Sequence, residues 1–291
     1  MTGTEFRSWC TRRVRLLDGA TGSSLRAAGM PAGVCAETWI LEHPQPLQAL
    51  QRAYAAAGSE IVLAPTFGAN RVLLGAHGLE RCVADYNRRL VALTREAVGG
   101  STLIAADMTT TGRPVLPEDD AAYARLLDIY TEQAAAVLDA GVDLFFVETM
   151  MGLTECMAAV EAIRALTDTA VVCTMSVQSD GRCYFDGSVY DAAQTLPELG
   201  ADAVGVNCGH GPALYTNVVA NMAAHATVPI VCKPNAGMPQ ILPDGSARYD
   251  MTPAEFAAQM LKIRAAGATL LGGCCGTTPE YIRALHKALQ E

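Results

Sequence analysis

Short apolar or β-branched runs alternate eight times with longer amphipathic segments along this chain, which limits it to folds built from repeated strand-helix units around a parallel sheet. The strand candidates are 14–18, 60–64, 102–106, 143–147, 170–175, 203–207, 229–233 and 267–271. Helices are predicted between them over 44–57, 80–98, 119–140, 153–167, 189–199, 212–225, 252–266 and 278–290. Pro44 and Pro46 suit a first helical turn, Thr252-Pro253-Ala254-Glu255 reads as a capping box, and Gly141, Gly200 and Gly267 read as helix stops before the next strand. Eight such units in 291 residues fit an α/β fold of the single (β/α)8 TIM-barrel kind better than an open doubly wound sheet. No GxGxxG follows the first strand, which disfavours a dinucleotide-binding domain.

Apolar residues make up 51% of the chain and charged residues 18%, with no low-complexity tract or Pro/Gly/Ser-rich linker, so residues 1–291 read as one domain with a short N-terminal extension over 1–13. A formal charge of −9 without clustered Lys and Arg argues against nucleic acid partners. Arg12, Arg13 and Arg15 are expected to form a solvated N-terminal cluster. No run approaches the ~20 apolar residues of a membrane helix and 1–13 lacks the apolar core of a signal peptide, so the expectation is a cytoplasmic protein with no membrane partner. Ten cysteines in such a chain are then reduced thiols, mostly small buried hydrophobes such as Cys173 and Cys232, with a few in metal or catalytic use.

In a barrel the active site collects just after the strand C-termini. Those positions hold Asp18-Gly19-Ala20-Thr21-Gly22, Thr66 with Asn70, Asp107, Glu148-Thr149, Asn207-Cys208-Gly209-His210, Lys233-Pro234-Asn235 and Gly272-Gly273-Cys274-Cys275. Neighbouring side chains on a regular strand point to opposite faces, so the glycines before Cys274 and Cys275 are needed to turn both sulfurs one way. With Cys208 they would make a three-sulfur site. Three thiolates favour zinc and leave a fourth tetrahedral position for substrate. Such an ion carries net negative charge, acidifies water poorly, and is better suited to holding a thiol substrate as a thiolate. Other readings stay open for the residues alone: a structural cysteine pair, a phosphate site at the glycine-rich helix start, and solvated or capping roles for Asp107 and Glu148. His210, flanked by Gly209, Gly211 and Pro212, reads as a loop residue rather than a ligand. An aldolase-like barrel would need a Schiff-base lysine, and Lys233, the lysine at a strand end, runs into Pro234.

Over nearly its whole length the chain resembles the homocysteine S-methyltransferase family. The resemblance is carried by Leu17-Asp18-Gly19-Ala20-Thr21-Gly22-Ser23, Glu60-Ile61-Val62, Pro65-Thr66-Phe67-Gly68-Ala69-Asn70-Arg71 and Val147-Glu148-Thr149. Further on it is carried by Gly205-Val206-Asn207-Cys208, Pro234-Asn235-Ala236-Gly237 and Gly272-Gly273-Cys274-Cys275-Gly276-Thr277-Thr278-Pro279. The resemblance implies that Cys208, Cys274 and Cys275 hold zinc (Zn2+) and act on homocysteine, whose sulfur is methylated to give methionine. It also implies substrate contacts from the backbone of Ala20 and Thr21, from Asp18 and Glu148, and from Asp107 and Asn207. Ser23 stands where the family motif usually has threonine.

Lys233-Pro234-Asn235-Ala236-Gly237-Met238-Pro239 followed by Tyr249-Asp250 is similar to the homocysteine-binding module of cobalamin-dependent methionine synthases. That likeness implies a stand-alone module whose methyl group arrives as methylcobalamin on a separate corrinoid protein. The alternatives are direct use of S-methylmethionine, betaine or a similar small onium donor, and a non-catalytic zinc- and thiol-binding barrel.

Overall fold

A computed structural model describes residues 1–242 and 247–291. In chain order the elements are α1 (Gly3–Thr11), β1 (Arg15–Leu16), α2 (Gly22–Ala27), α3 (Ala36–Glu42), α4 (Pro44–Ala57), β2 (Ile61–Leu63), α5 (Arg71–Gly75), α6 (Val83–Val98), β3 (Leu103–Met108), α7 (Asp120–Asp139) and β4 (Leu144–Met150). They continue with α8 (Leu153–Arg164), β5 (Val171–Met175), α9 (Val189–Glu198), β6 (Ala203–Asn207), α10 (Pro212–Ala223), β7 (Ile230–Lys233), β8 (Gln240–Ile241), β9 (Ala247–Arg248), α11 (Pro253–Ala265), β10 (Leu270–Leu271) and α12 (Pro279–Gln290).

Among the described residues, eight strands pair in parallel in the order β1-β10-β7-β6-β5-β4-β3-β2, while β8 and β9 form a separate antiparallel hairpin. The ring closes between β1 and β2 by mixed means. Glu60 N donates to Leu16 O at 2.8 Å, Ser59 Oγ donates to Leu17 O at 3.2 Å, and Leu63 N donates to Asp18 Oδ2 at 2.8 Å. At two residues β1 is too short to offer a full ladder, so the Asp18 carboxylate supplies an acceptor that strand backbone would otherwise provide. The fold is the α/β TIM barrel expected from the strand-helix rhythm.

Strand periodicity explains what lies inside. Leu144 and Phe146 of β4, Ala105 of β3, Ala203 of β6 and Val231 of β7 share one buried apolar cluster within the barrel, whereas Phe145 and Val147 pack in the outer cluster beneath the helices. Two residues further along the inward registers of β4, β3 and β7 stand Glu148, Asp107 and Lys233, and four residues beyond Ala203 stands Asn207, each less than a tenth exposed. The interior therefore changes from hydrocarbon to charge in one layer at the C-terminal end.

The opposite end is closed by α1, where the N-terminal segment departs from its reading as an extension. Thr2 and Glu5 form a capping box that starts this helix, and Phe6 and Cys10, one turn apart, bury against the barrel interior. The solvated-cluster reading fails for Arg15. Its guanidinium lies 3.8 Å above the Trp9 ring, donates to Trp9 O at 3.0 Å and to Glu60 Oε2 at 3.0 Å, and is almost fully enclosed. An open barrel bottom exposes apolar side chains, and covering them costs less than leaving them wet. Helices α2, α3 and α5 and the β8-β9 hairpin also have no counterpart in the sequence reading, being short insertions after strand ends. No helix among the described residues is long and apolar enough to cross a membrane.

If α1 is a structural plug, Phe6→Ala should lower the free energy of unfolding by about 3–5 kcal/mol in urea titrations. Trimming the 70%-exposed Leu116 to Ala should change it by less than about 0.5 kcal/mol. A shift below ~1 kcal/mol for Phe6→Ala would contradict the plug.

Candidate active site

Three thiols meet at the C-terminal mouth because two turns are built to aim them. Cys208 follows β6 in left-handed backbone geometry, φ 59°, a conformation that a side-chain-bearing residue adopts only when its surroundings hold it there. Its N donates to Lys233 O at 3.1 Å, and its carbonyl accepts from Tyr215 Oη at 2.5 Å and from His210 N at 2.6 Å. After β10 the chain passes so close to its neighbours that a Cβ on Gly272 would lie 2.7 Å from Leu17 Cβ, and one on Gly273 would collide with Thr277. Cys274 N then donates to Pro234 O at 2.8 Å, and Cys275 O accepts from Ala236 N at 3.0 Å.

The Sγ atoms of Cys208, Cys274 and Cys275 all lie within 4.8 Å of one another, with Cys208 and Cys275 3.8 Å apart. Hydrogen bonds from Cys208 and Cys274, joined by one from Tyr249, push the Cys275 thiol down to about 3. Hydrogen bonding within the trio thus favours the ionised form of Cys275 over that of its two neighbours. Asn207 does not line the cavity. It is fully buried behind Thr149, donating to Thr149 Oγ1 at 2.7 Å, accepting from Thr149 N at 2.9 Å, and facing Cys274 Sγ at 3.9 Å.

Beside the sulfurs lies a cavity of about 280 Å³. Its wall includes Asp18, Ala20, Thr21, Asp107, Glu148 and Lys233, together with the three cysteines. Lys233 Nζ stands 3.3 Å from Asp18 Oδ1 and 3.2 Å from Glu148 Oε2, all three side chains being buried. Burial opposes charge on Lys233, but Glu148 and Asp18 outweigh it and its pKa is raised. Burial pushes Asp107 well above the usual carboxylate range, and the neighbouring Glu148 charge pushes it the same way. Asp107 Oδ1 is buried with no hydrogen-bond partner among the described residues. Ala20 N donates to Thr277 O and Oγ1, each at 3.2 Å, whereas the Thr21 N–H has no partner among the described residues.

Sequence reasoning thus reaches the three cysteines and the acidic positions. It passes over Lys233 as a site residue, although its being the lysine at a strand end was the available signal. It also misses Glu37, a buried carboxylate on α3 that lines the cavity and accepts from Gly68 N at 2.9 Å. Glu155 at the start of α8 is missed too. Its carboxylate accepts from Thr111 N and Thr111 Oγ1 at 2.7 Å and from Tyr130 Oη at 3.0 Å, fixing the loop after β3. Neither glutamate sits at a strand end, so no positional rule points to it. His210 lies in a loop, packed edge-on against Tyr215.

Residues 15–289 match the model of a family described as homocysteine S-methyltransferase. Over 98% of its length the chain is 32% identical to the methionine synthase of Mycobacterium tuberculosis (strain ATCC 25618 / H37Rv) and 30% identical to that of Mycobacterium leprae (strain TN). It spans about a quarter of the length of these relatives, 25% in each case. Among solved structures, the metallated form of the homocysteine methyltransferase MmuM from Escherichia coli superposes with a TM-score of 0.79. That match has 23% identity and covers 97% of this chain and 99% of MmuM, a likeness of fold. With the fold, the thiol cluster and the family match in agreement, this chain belongs to the homocysteine S-methyltransferase family.

Proposed function

We propose that this domain transfers a methyl group to the sulfur of homocysteine, giving methionine, and that it does so with zinc held by Cys208, Cys274 and Cys275. The observation that carries the reading is the convergence of three thiols within 4.8 Å at the wall of a cavity with an acidic floor. The donor set fits zinc: soft sulfur ligands, one already favoured as thiolate, at the mouth of a partly buried site. Zinc bound there supplies a Lewis acid that keeps a substrate thiol deprotonated and nucleophilic at neutral pH.

The chain's own residues do the rest. Asp107, with its unpartnered Oδ1, and Glu148 offer negative charge to the substrate ammonium. An ammonium arriving there favours the ionised form of Asp107 that burial alone disfavours. The Thr21 N–H is available to the substrate carboxylate, while Ala20, tied to Thr277, fixes the loop that presents it. Leu25, Met30, Ile40 and Leu63 line the remaining wall and exclude water from the nucleophile. Sulfur then forms its bond to the methyl carbon as the methyl's bond to the donor breaks, a displacement that needs alignment more than acid-base chemistry.

For the donor, the favoured reading is a methylcorrinoid. The support is the likeness to one quarter of two methionine synthases together with the Lys233 to Pro239 and Tyr249-Asp250 motif. A small onium donor used directly is the second reading, which the site residues leave open.

Each of Cys208→Ala, Cys274→Ala and Cys275→Ala is expected to lose bound zinc and methionine formation while keeping the circular dichroism of the fold. A single variant with full zinc and full turnover would remove that cysteine from the ligand set. Zinc-loaded protein should form methionine from homocysteine when given methylcobalamin; turnover only with S-methylmethionine, betaine or dimethylsulfoniopropionate would replace the corrinoid reading with the onium one. No methionine from any of these donors would contradict both.

A further inference from the structure

Lys233 is the buried charge that the chemistry above does not use, and its surroundings give it a task. Nζ reaches Asp18 Oδ1 at 3.3 Å on one side and Glu148 Oε2 at 3.2 Å on the other, and it rests 5.0 Å above the Phe146 ring of the apolar layer beneath. Only 2% of the residue is exposed. The second oxygen of Asp18, Oδ2, accepts from Leu63 N at 2.8 Å across the barrel seam. Both oxygens of Asp18 are therefore occupied from within the protein, and so is one oxygen of Glu148. What remains for the cavity is the other oxygen of Glu148 and the carboxylate of Asp107, a lining residue whose buried Oδ1 has no hydrogen-bond partner among the described residues.

From this arrangement we infer that Lys233 is a positioning and specificity residue: it pairs with Asp18, holds Glu148 in place, and so makes Glu148 and Asp107 the recognition point for a substrate's α-ammonium group. The inference rests on the homocysteine reading and deepens it. Counting charge explains why a lysine is needed. Once an ammonium has arrived and Asp107 is ionised, Asp18, Asp107 and Glu148 with Lys233 give three negative charges and one positive. Without the lysine, three carboxylates would share one buried floor with no positive charge among them, which favours their protonated forms over the anions that would face an amine. Removing Lys233 and the charge of Asp18 together restores the original balance, because Asp107 and Glu148 then stand alone with two negative charges.

The test uses the zinc-loaded full chain and calorimetric binding of two thiols, homocysteine and 4-mercaptobutanoate, which differ by the α-amino group. Lys233→Met is expected to weaken homocysteine binding by about tenfold or more, in line with the cost of disturbing a buried charge pair, while 4-mercaptobutanoate changes by less than about threefold. The double variant Lys233→Met/Asp18→Asn should return the ratio of the two affinities to within about threefold of the wild type, the non-additivity expected of groups in one network. It also keeps the question decidable if the single variant does not fold. Wild-type selectivity in Lys233→Met, an equal loss for both thiols, or a double variant that does not recover selectivity would each overturn the inference. A wild-type protein that binds neither thiol would overturn the homocysteine reading itself and this inference with it.

Discussion

The buried charge layer at the top of the barrel is the constraint on which the rest of the site depends. Inward positions on β3, β4 and β7 carry Ala105, Phe146 and Val231 in the apolar interior and, two residues on, Asp107, Glu148 and Lys233. Ionised groups in such a place are tolerated only when paired and hydrogen-bonded. Lys233 provides that pairing for Asp18 and Glu148, and Asp18 in turn accepts from Leu63 N where β1 is too short to close the ring alone. Fold closure and the charge pairing of the site therefore share one carboxylate. The same coupling leaves Asp107 short of a partner, and that local deficit is what an incoming cation can satisfy.

Sulfur is brought to this layer by backbone devices rather than by secondary structure. Cys208 sits in the left-handed region with its carbonyl pinned by Tyr215 and His210, and Thr149, which exchanges hydrogen bonds with Asn207, has a φ of 60° at the end of β4. Gly272 and Gly273 let the last barrel strand approach Leu17 and Thr277 closely enough for Cys274 and Cys275 to swing together. At the far end α1 fills the barrel base with Phe6 and Cys10, so the interior is apolar below and charged above.

Much of this was legible in the sequence, and the exceptions have physical reasons. Helix α4 occupies the same 44–57 span that proline placement and periodicity marked out, and strand β6 the same 203–207. Long periodic segments whose faces are buried by neighbours announce themselves in composition. By contrast α1, α2, α3 and α5 are short, and their burial depends on contacts with distant strands that no local window contains. Arg15 looked like part of a solvated basic cluster because its partners, Trp9 and Glu60, are set by tertiary packing. In the site, the cysteines were legible because thiols at strand ends are chemically unusual. Asp18 and Glu148 were legible as positions, but their separate engagements with Leu63 and Lys233 were not. Asn207, next to Cys208 in sequence, stands behind the cavity wall because its strand register turns it toward Thr149.

The central claim is that the thiol cluster and the charged floor together take up homocysteine as a thiolate. A proton count measures this directly. At pH 7, where a free thiol with a pKa of about 8.5 is mostly protonated, adding homocysteine to the zinc-loaded protein in weakly buffered solution should release about one proton per chain from the thiol, in addition to any that Asp107 gives up to the arriving ammonium. Binding with no proton release would mean that the thiol enters protonated, which contradicts a site that holds its substrate as a thiolate.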